Sequence, residues 1–176
     1  MVLNFKINMI KNLHRFIIKN NVKSLNMKKI LFVCHGNICR STMAEMVMKY
    51  LVNQAGLEKD FYIDSAATSR EEFGNGVHHG TKAILRQQGI PCENHRARQI
   101  TSADYEAFDL LIGMDRENIE NMNWKWNGDP EGKVHSLLSF AGSSRPIADP
   151  WYTGNFDDTY DDVMEGCTAL LNHITK

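Results

Sequence analysis

The chain reads as one α/β domain built on a parallel sheet, and three observations predict it. Short apolar runs alternate with helical segments along most of its length. The first such run, Ile30-Leu31-Phe32-Val33, ends on a thiol and a Gly-bearing loop that leads directly into a helical segment. Open parallel sheets carry ligand chemistry at such strand ends. The last segment places Val163, Cys167, Leu170, Leu171 and Ile174 at helical spacing and closes the domain.

Taken in order, residues 29–33 predict strand one and residues 40–54 the helix after the loop. Residues 61–66 predict strand two, where Phe61, Ile63 and Ser65 alternate with Tyr62, Asp64 and Ala66. Residues 78–88 predict a helix closed by Gly89 and Pro91, and Thr101-Ser102-Ala103-Asp104 a capped helical turn. Residues 110–114 read as a short strand whose end carries Met114-Asp115, residues 116–122 as a short helix, and residues 133–137 as the last strand. Gly142-Ser143-Ser144-Arg145-Pro146 reads as a loop leading to Asp149, and residues 157–174 as the closing helix. Its acidic start, from Asp157 to Asp162, suits a helix N-terminus and fits no calcium loop.

Composition narrows the function classes. A length of 176 residues suffices for one domain with a proper core, and 43% hydrophobic with 23% charged residues is ordinary for a globular chain. A net charge of −1 gives no support to nucleic-acid binding. No apolar stretch is long enough for stable membrane insertion. Four irregularly spaced cysteines suggest neither a secreted disulfide framework nor a zinc site, so no metal and no cofactor is expected, and the cytoplasm is the expected compartment. Cys92 and Cys167 read as apolar filler. Residues 1–26 differ from the rest, with Lys6, Lys11, Arg15, Lys19 and Lys23 and no acid. They read either as a basic extension or as an upstream start artefact, since Met27-Lys28-Lys29-Ile30 looks like a natural beginning, which leaves residues 27–176 as the working domain.

The chemistry concentrates in Cys34-His35-Gly36-Asn37-Ile38-Cys39-Arg40-Ser41. Loop amides and a helix N-terminus make a concave anion site, and a positive field of that kind favours the nucleophilic thiolate form of a cysteine. Arg40 offers a planar fork for two phosphoryl oxygens, and as a cation at a helix start it calls for an anion. Gly36 lets the backbone turn without a Cβ clash, and Asn37 tolerates a left-handed conformation while bonding within the loop. Ser41 reads as a hydroxyl donor to the thiolate, or as a plain helix-start serine. A nucleophile in a phosphate cradle implies phosphoryl transfer to Cys34.

The pattern Cys-x-Gly-Asn-x-Cys-Arg-Ser resembles the loop of the low-molecular-weight protein tyrosine phosphatases. A second match, Ala148-Asp149-Pro150-Trp151-Tyr152, looks like the acid loop of that family. Further similar segments lie between them in family order, and the resemblance runs from about Met27 to the C-terminus. It implies a four-stranded parallel sheet with helices on both faces and hydrolysis of phosphotyrosine on partner proteins, as well as of small aryl phosphates. It further implies Cys34 as nucleophile, Arg40 as phosphoryl clamp and Asp149 as general acid, with Pro150 keeping Asp149 extended. Trp151 and Tyr152 then form one slot wall, although core aromatics would give the same sequence. Glu71 stands where many members carry an aromatic for the opposite wall. His95 matches a histidine that supports the loop, or is a surface residue. Cys39 suggests a reversible disulfide with Cys34, or simple packing. Arsenate reductases share the loop, but the thioredoxin-coupled type needs two close downstream cysteines. Protein arginine phosphatases tend to carry threonine where Ile38 stands. A non-catalytic phosphate-binding module would be expected to lack the nucleophile or the acid, and both are present.

Overall fold

Ile30, Leu31, Phe32 and Val33 are all fully buried, which a strand achieves only with both faces covered. In this computed structural model, which describes residues 27–92 and 94–176, their strand β1 (Lys28–Cys34) lies inside a four-stranded sheet. The expectations for residues 1–26 fall outside the described residues. Strand β1 pairs parallel with β2 (Phe61–Ala67) on one side and β3 (Leu110–Gly113) on the other. Strand β4 (Val134–Ser136) adds parallel to β3 and gives the order β2-β1-β3-β4.

The pleat of β1 sorts the core into two halves. Ile30, Phe32 and Cys34 join one cluster with Met43, Val47 and Leu51 of helix α1 (Arg40–Gln54), Leu85 of α2 (His79–Gln87), and Val163, Cys167 and Leu170 of the last helix. Leu31 and Val33 join the other with Tyr105 of α3 (Ser102–Ala107) and Met122 of α4 (Arg116–Lys125). Helices therefore cover both faces, as the family resemblance implies. Each fully buried aliphatic or aromatic side chain contributes about 1.5–3 kcal/mol. The same alternation puts Cys34 on the α1 side of the sheet, at the strand's C-terminal end.

Boundaries shift by a few residues. The capped turn at Thr101 extends into α3, with a reciprocal Thr101–Asp104 capping box. Three elements were not expected: the 3₁₀ turns Glu58–Asp60 and Leu137–Ala141, and the short helix α5, Pro150–Thr153. Leu137 leaves β4 because it and Leu138 turn into the first core cluster. The final helix α6 (Phe156–Ile174) crosses directly over them, and a Cβ on Gly166 would come within 2.5 Å of Leu137 Cγ. Asp157 and Asp158 stand in its first turn, where acids favour the positive helix end.

Candidate active site

Between β1 and α1 the chain wraps around the Cys34 sulfur, which is 3% exposed. Helix α1 starts without a side-chain cap or an acidic residue in its first turn, so its positive end stays free for an anion. The backbone N–H of Asn37 donates to Cys34 Sγ at 3.3 Å, and Ser41 Oγ lies 3.1 Å from the same atom. Ser41 Oγ also accepts from Asn37 Nδ2 at 2.9 Å, which leaves its own proton free for the sulfur.

Asn37 holds the loop in shape. Its φ of 60° lies in the left-handed region, and the side chain is fully buried. Its Nδ2 also donates to Ser65 Oγ at 2.8 Å, and its Oδ1 accepts from the Arg98 backbone N–H at 3.1 Å. Its carbonyl accepts from Thr42 Oγ1 and bonds His95 Nε2 at 2.7 Å. Ser65 Oγ donates in turn to Glu45, whose other oxygen accepts from Lys49. Gly36 does not take the left-handed turn; it lets a neighbour approach, since a Cβ there would meet Glu72 Cγ at 3.1 Å.

Arg40 is 3% exposed and bridges three segments. Its Nη1 bonds Asp115 Oδ2 at 2.5 Å and the Ile147 carbonyl at 3.2 Å, and its Nη2 bonds Asp149 Oδ2 at 2.6 Å. Burial works against its charge, but Cys34, Asp149 and Asp115 more than offset this and hold its pKa above the ordinary value. Asp115 is itself fixed, because its other oxygen caps α4 by accepting from Asn118 N. Asp149 caps α5 through Trp151 N at 3.0 Å, with an extended backbone ahead of Pro150. Burial and then the charge of Cys34 push the second loop thiol, Cys39, up to about 12.

These groups surround a slot of about 120 Å³, lined by Cys34, His35, Ile38, Arg40, Glu71, Asp149, Trp151 and Tyr152 among others. Trp151 is 59% and Tyr152 85% exposed, so the core reading of these aromatics is wrong. They rim the slot because α5 turns them away from the sheet. Opposite stands Glu71, with Oε2 3.0 Å from His35 Nε2. His78 stacks on Phe156 with ring centroids 5.2 Å apart and meets Trp151 edge-on at 5.7 Å. Burial first and His79 second lower the pKa of His78, with Glu72 opposing.

The structure places Cys34, His35, Gly36, Ile38, Cys39, Arg40, Glu71, Asp149, Trp151 and Tyr152 around the slot, with Asn37, Ser41 and His95 behind the loop. His95 is a support, since it lies behind the loop and not in the slot. Ser65, Glu45, Arg98, Asp115 and His78 were missed as site residues. Glu45 carried a signal, as a lone acid within the run Met43-Ala44-Glu45-Met46-Val47. Neither Cys92 nor Cys167 lines the slot. Among the described residues no cluster of His, Cys, Asp or Glu is arranged to hold a metal ion.

Residues 29–176 match the family model for low molecular weight phosphotyrosine protein phosphatase. The chain is 39% identical over 152 residues to the low molecular weight protein-tyrosine-phosphatase YfkJ of Bacillus subtilis, covering 85% of this chain and 97% of that protein. The crystal structure of YfkJ superposes with a TM-score of 0.82, over 84% of this chain and 94% of that one. The human low molecular weight phosphotyrosine protein phosphatase is 37% identical, covering 82% of this chain and 94% of that protein. A Drosophila arginine phosphatase structure matches with a TM-score of 0.76 at 33% identity, over 84% of this chain and 98% of that one.

Proposed function

The chain belongs to the low molecular weight phosphotyrosine protein phosphatase family, and we propose that it hydrolyses phosphotyrosine on proteins through a phosphocysteine at Cys34. It is an enzyme of the phosphatase type. One observation carries the finer reading: Cys34, Arg40 and Asp149 converge at one end of a slot whose mouth is aromatic.

Asp149 stands against Arg40, accepting from its Nη2. An arriving phosphoryl group takes that place with its oxygens, while the α1 N-terminus and loop amides hold the rest of its charge. Released from Arg40, the Asp149 carboxylate takes up a proton from solvent; the Cys34 thiolate attacks phosphorus, the P–O bond to the phenol breaks, and Asp149 gives that proton to the departing oxygen. Asp149, now a carboxylate, takes a proton from water as that water attacks phosphorus. The S–P bond breaks, phosphate leaves, and Ser41 donates a hydrogen bond to the returning thiolate.

Ile38 and Trp151 favour an aryl ester over a phosphoguanidine, since both present apolar surface to the slot. The test is turnover of matched phosphotyrosine, phosphoserine and phosphoarginine peptides, with and without chelator. Phosphotyrosine should be the preferred substrate with no loss to chelator, and Cys34→Ser should retain phosphate binding without turnover. Faster phosphoarginine hydrolysis would transfer the activity to that class; turnover by the serine variant would exclude the phosphocysteine.

A further inference from the structure

Beyond the slot, a larger cavity of about 470 Å³ opens between α2 and the segment that follows it. Lys82 and Arg86 reach it from one face of α2, a single turn apart, and Arg96 reaches it from the opposite strand of chain. Arg96 packs against Gly76, where a Cβ would come within 3.2 Å of Nη1. Like charges one turn apart repel. Among the described residues, neither Lys82 nor Arg86 has a carboxylate partner, and no carboxylate lines the cavity. In sequence, Glu93 is the only acid between residues 76 and 96. The floor is apolar, formed by Val77, Ile90 and Pro91. Three cations over an apolar floor are the features of a pocket for a multiply charged anion with a small organic body.

The cavity also touches the catalytic loop from behind. His95 lines it and bonds the carbonyl of Asn37, the residue whose N–H faces the Cys34 sulfur. Val77, on the floor, precedes His78, whose N–H donates to the Ile38 carbonyl at 2.9 Å. An anion seated on Arg96 and Lys82 therefore pulls on the two segments that brace the loop.

We propose that this cavity is a second anion site, specific for the phosphate class and distinct from the slot, whose occupant modulates the loop through His95. The modulation rests on the phosphatase reading of the slot; the binding does not. Inorganic pyrophosphate and adenosine diphosphate serve as probes, which separates a site for bare phosphate from one that also uses the apolar floor. Each is titrated into the full chain with the slot saturated by benzylphosphonate, while backbone amide shifts are followed by NMR. Saturable shifts should centre on Lys82, Arg86, His95 and Arg96, and the Lys82→Gln/Arg86→Gln double variant should bind at least about tenfold more weakly. Without probe, that variant should match wild type in kcat and KM for an aryl phosphate, and it should lose the change in kcat/KM that the probe causes in wild type. Three results would overturn the proposal: shifts confined to the slot, equal affinity in wild type and double variant, or saturable binding that leaves kcat/KM unmoved. If aryl phosphates are not turned over at all while the shifts saturate, the phosphatase reading has failed and the anion site stands.

Discussion

The floor and the rim of the slot are built on opposite principles. On the floor, Asn37, Arg40 and Ser41 are buried, and each named polar group meets a partner fixed by a further bond. On the rim, Trp151, Tyr152 and Glu71 stand largely in solvent, and the Glu71 carboxylate is held by a histidine that is itself half open. A buried network is costly to disturb but holds donors in place before charge develops. An exposed rim contributes less and is free to differ between relatives. In the proposed function, chemistry resides in the rigid half and substrate choice in the loose half.

That division is broken most directly at the acid. General acid catalysis is worth about 10²–10⁴ in rate. Asp149→Asn should cost that much with tyrosine-like leaving groups and much less with an activated nitrophenol; an equal loss across leaving groups would place the donor elsewhere. The two loop thiols give the next contrast. Because burial and then the charge of Cys34 push Cys39 up to about 12, it should stay protonated at neutral pH, and its alkylation should rise roughly tenfold per pH unit up to that range. Mass spectrometry after iodoacetamide at pH 7 should find label on Cys34 well before Cys39. Comparable labelling would restore Cys39 as a ready partner for a reversible disulfide.

Removing Asn37 tests the floor by stability. Asn37→Ala leaves buried groups unpartnered and strains the left-handed backbone, at a cost of about 2–4 kcal/mol, or roughly 5–15 °C in melting temperature. Asn37→Gly should recover only the backbone share, and a melting curve equal to wild type would deny the network its role. The rim should respond in binding alone. Trp151→Ala should raise KM for aryl phosphates by about two- to tenfold at unchanged melting temperature. Glu71→Tyr should lower KM and relax discrimination against acidic peptides by well under a tenfold change per charge. Unchanged peptide preference in that variant would remove Glu71 from the rim.

The two halves also differed in how far the sequence revealed them. The loop from Cys34 to Ser41 is contiguous, so its residues announce each other by spacing, and the β1 run fixes where it sits. The proposed acid was legible because Asp149-Pro150 and two aromatics form a second local motif. The supporting groups are scattered: Ser65 sits on β2, Arg98 and His95 on a loop, and Asp115 at the start of α4. Nothing local marks a serine in a strand as a partner for an asparagine 28 positions earlier. The aromatics of α5 were ambiguous for another reason. Side-chain type does not reveal which way a four-residue helix turns its rings, and only packing decides that.

The contact between Arg40 and Asp149 has a consequence for the end of the cycle. A carboxylate tethered by its own chain sits at an effective concentration far above that of any solute nearby. In the proposed cycle Asp149 leaves the last step protonated; once it returns that proton to solvent, its carboxylate competes with inorganic phosphate for the guanidinium as an intramolecular ligand. In that cycle the Arg40–Asp149 contact would work as an ejector, sparing the enzyme from being stalled by its own product.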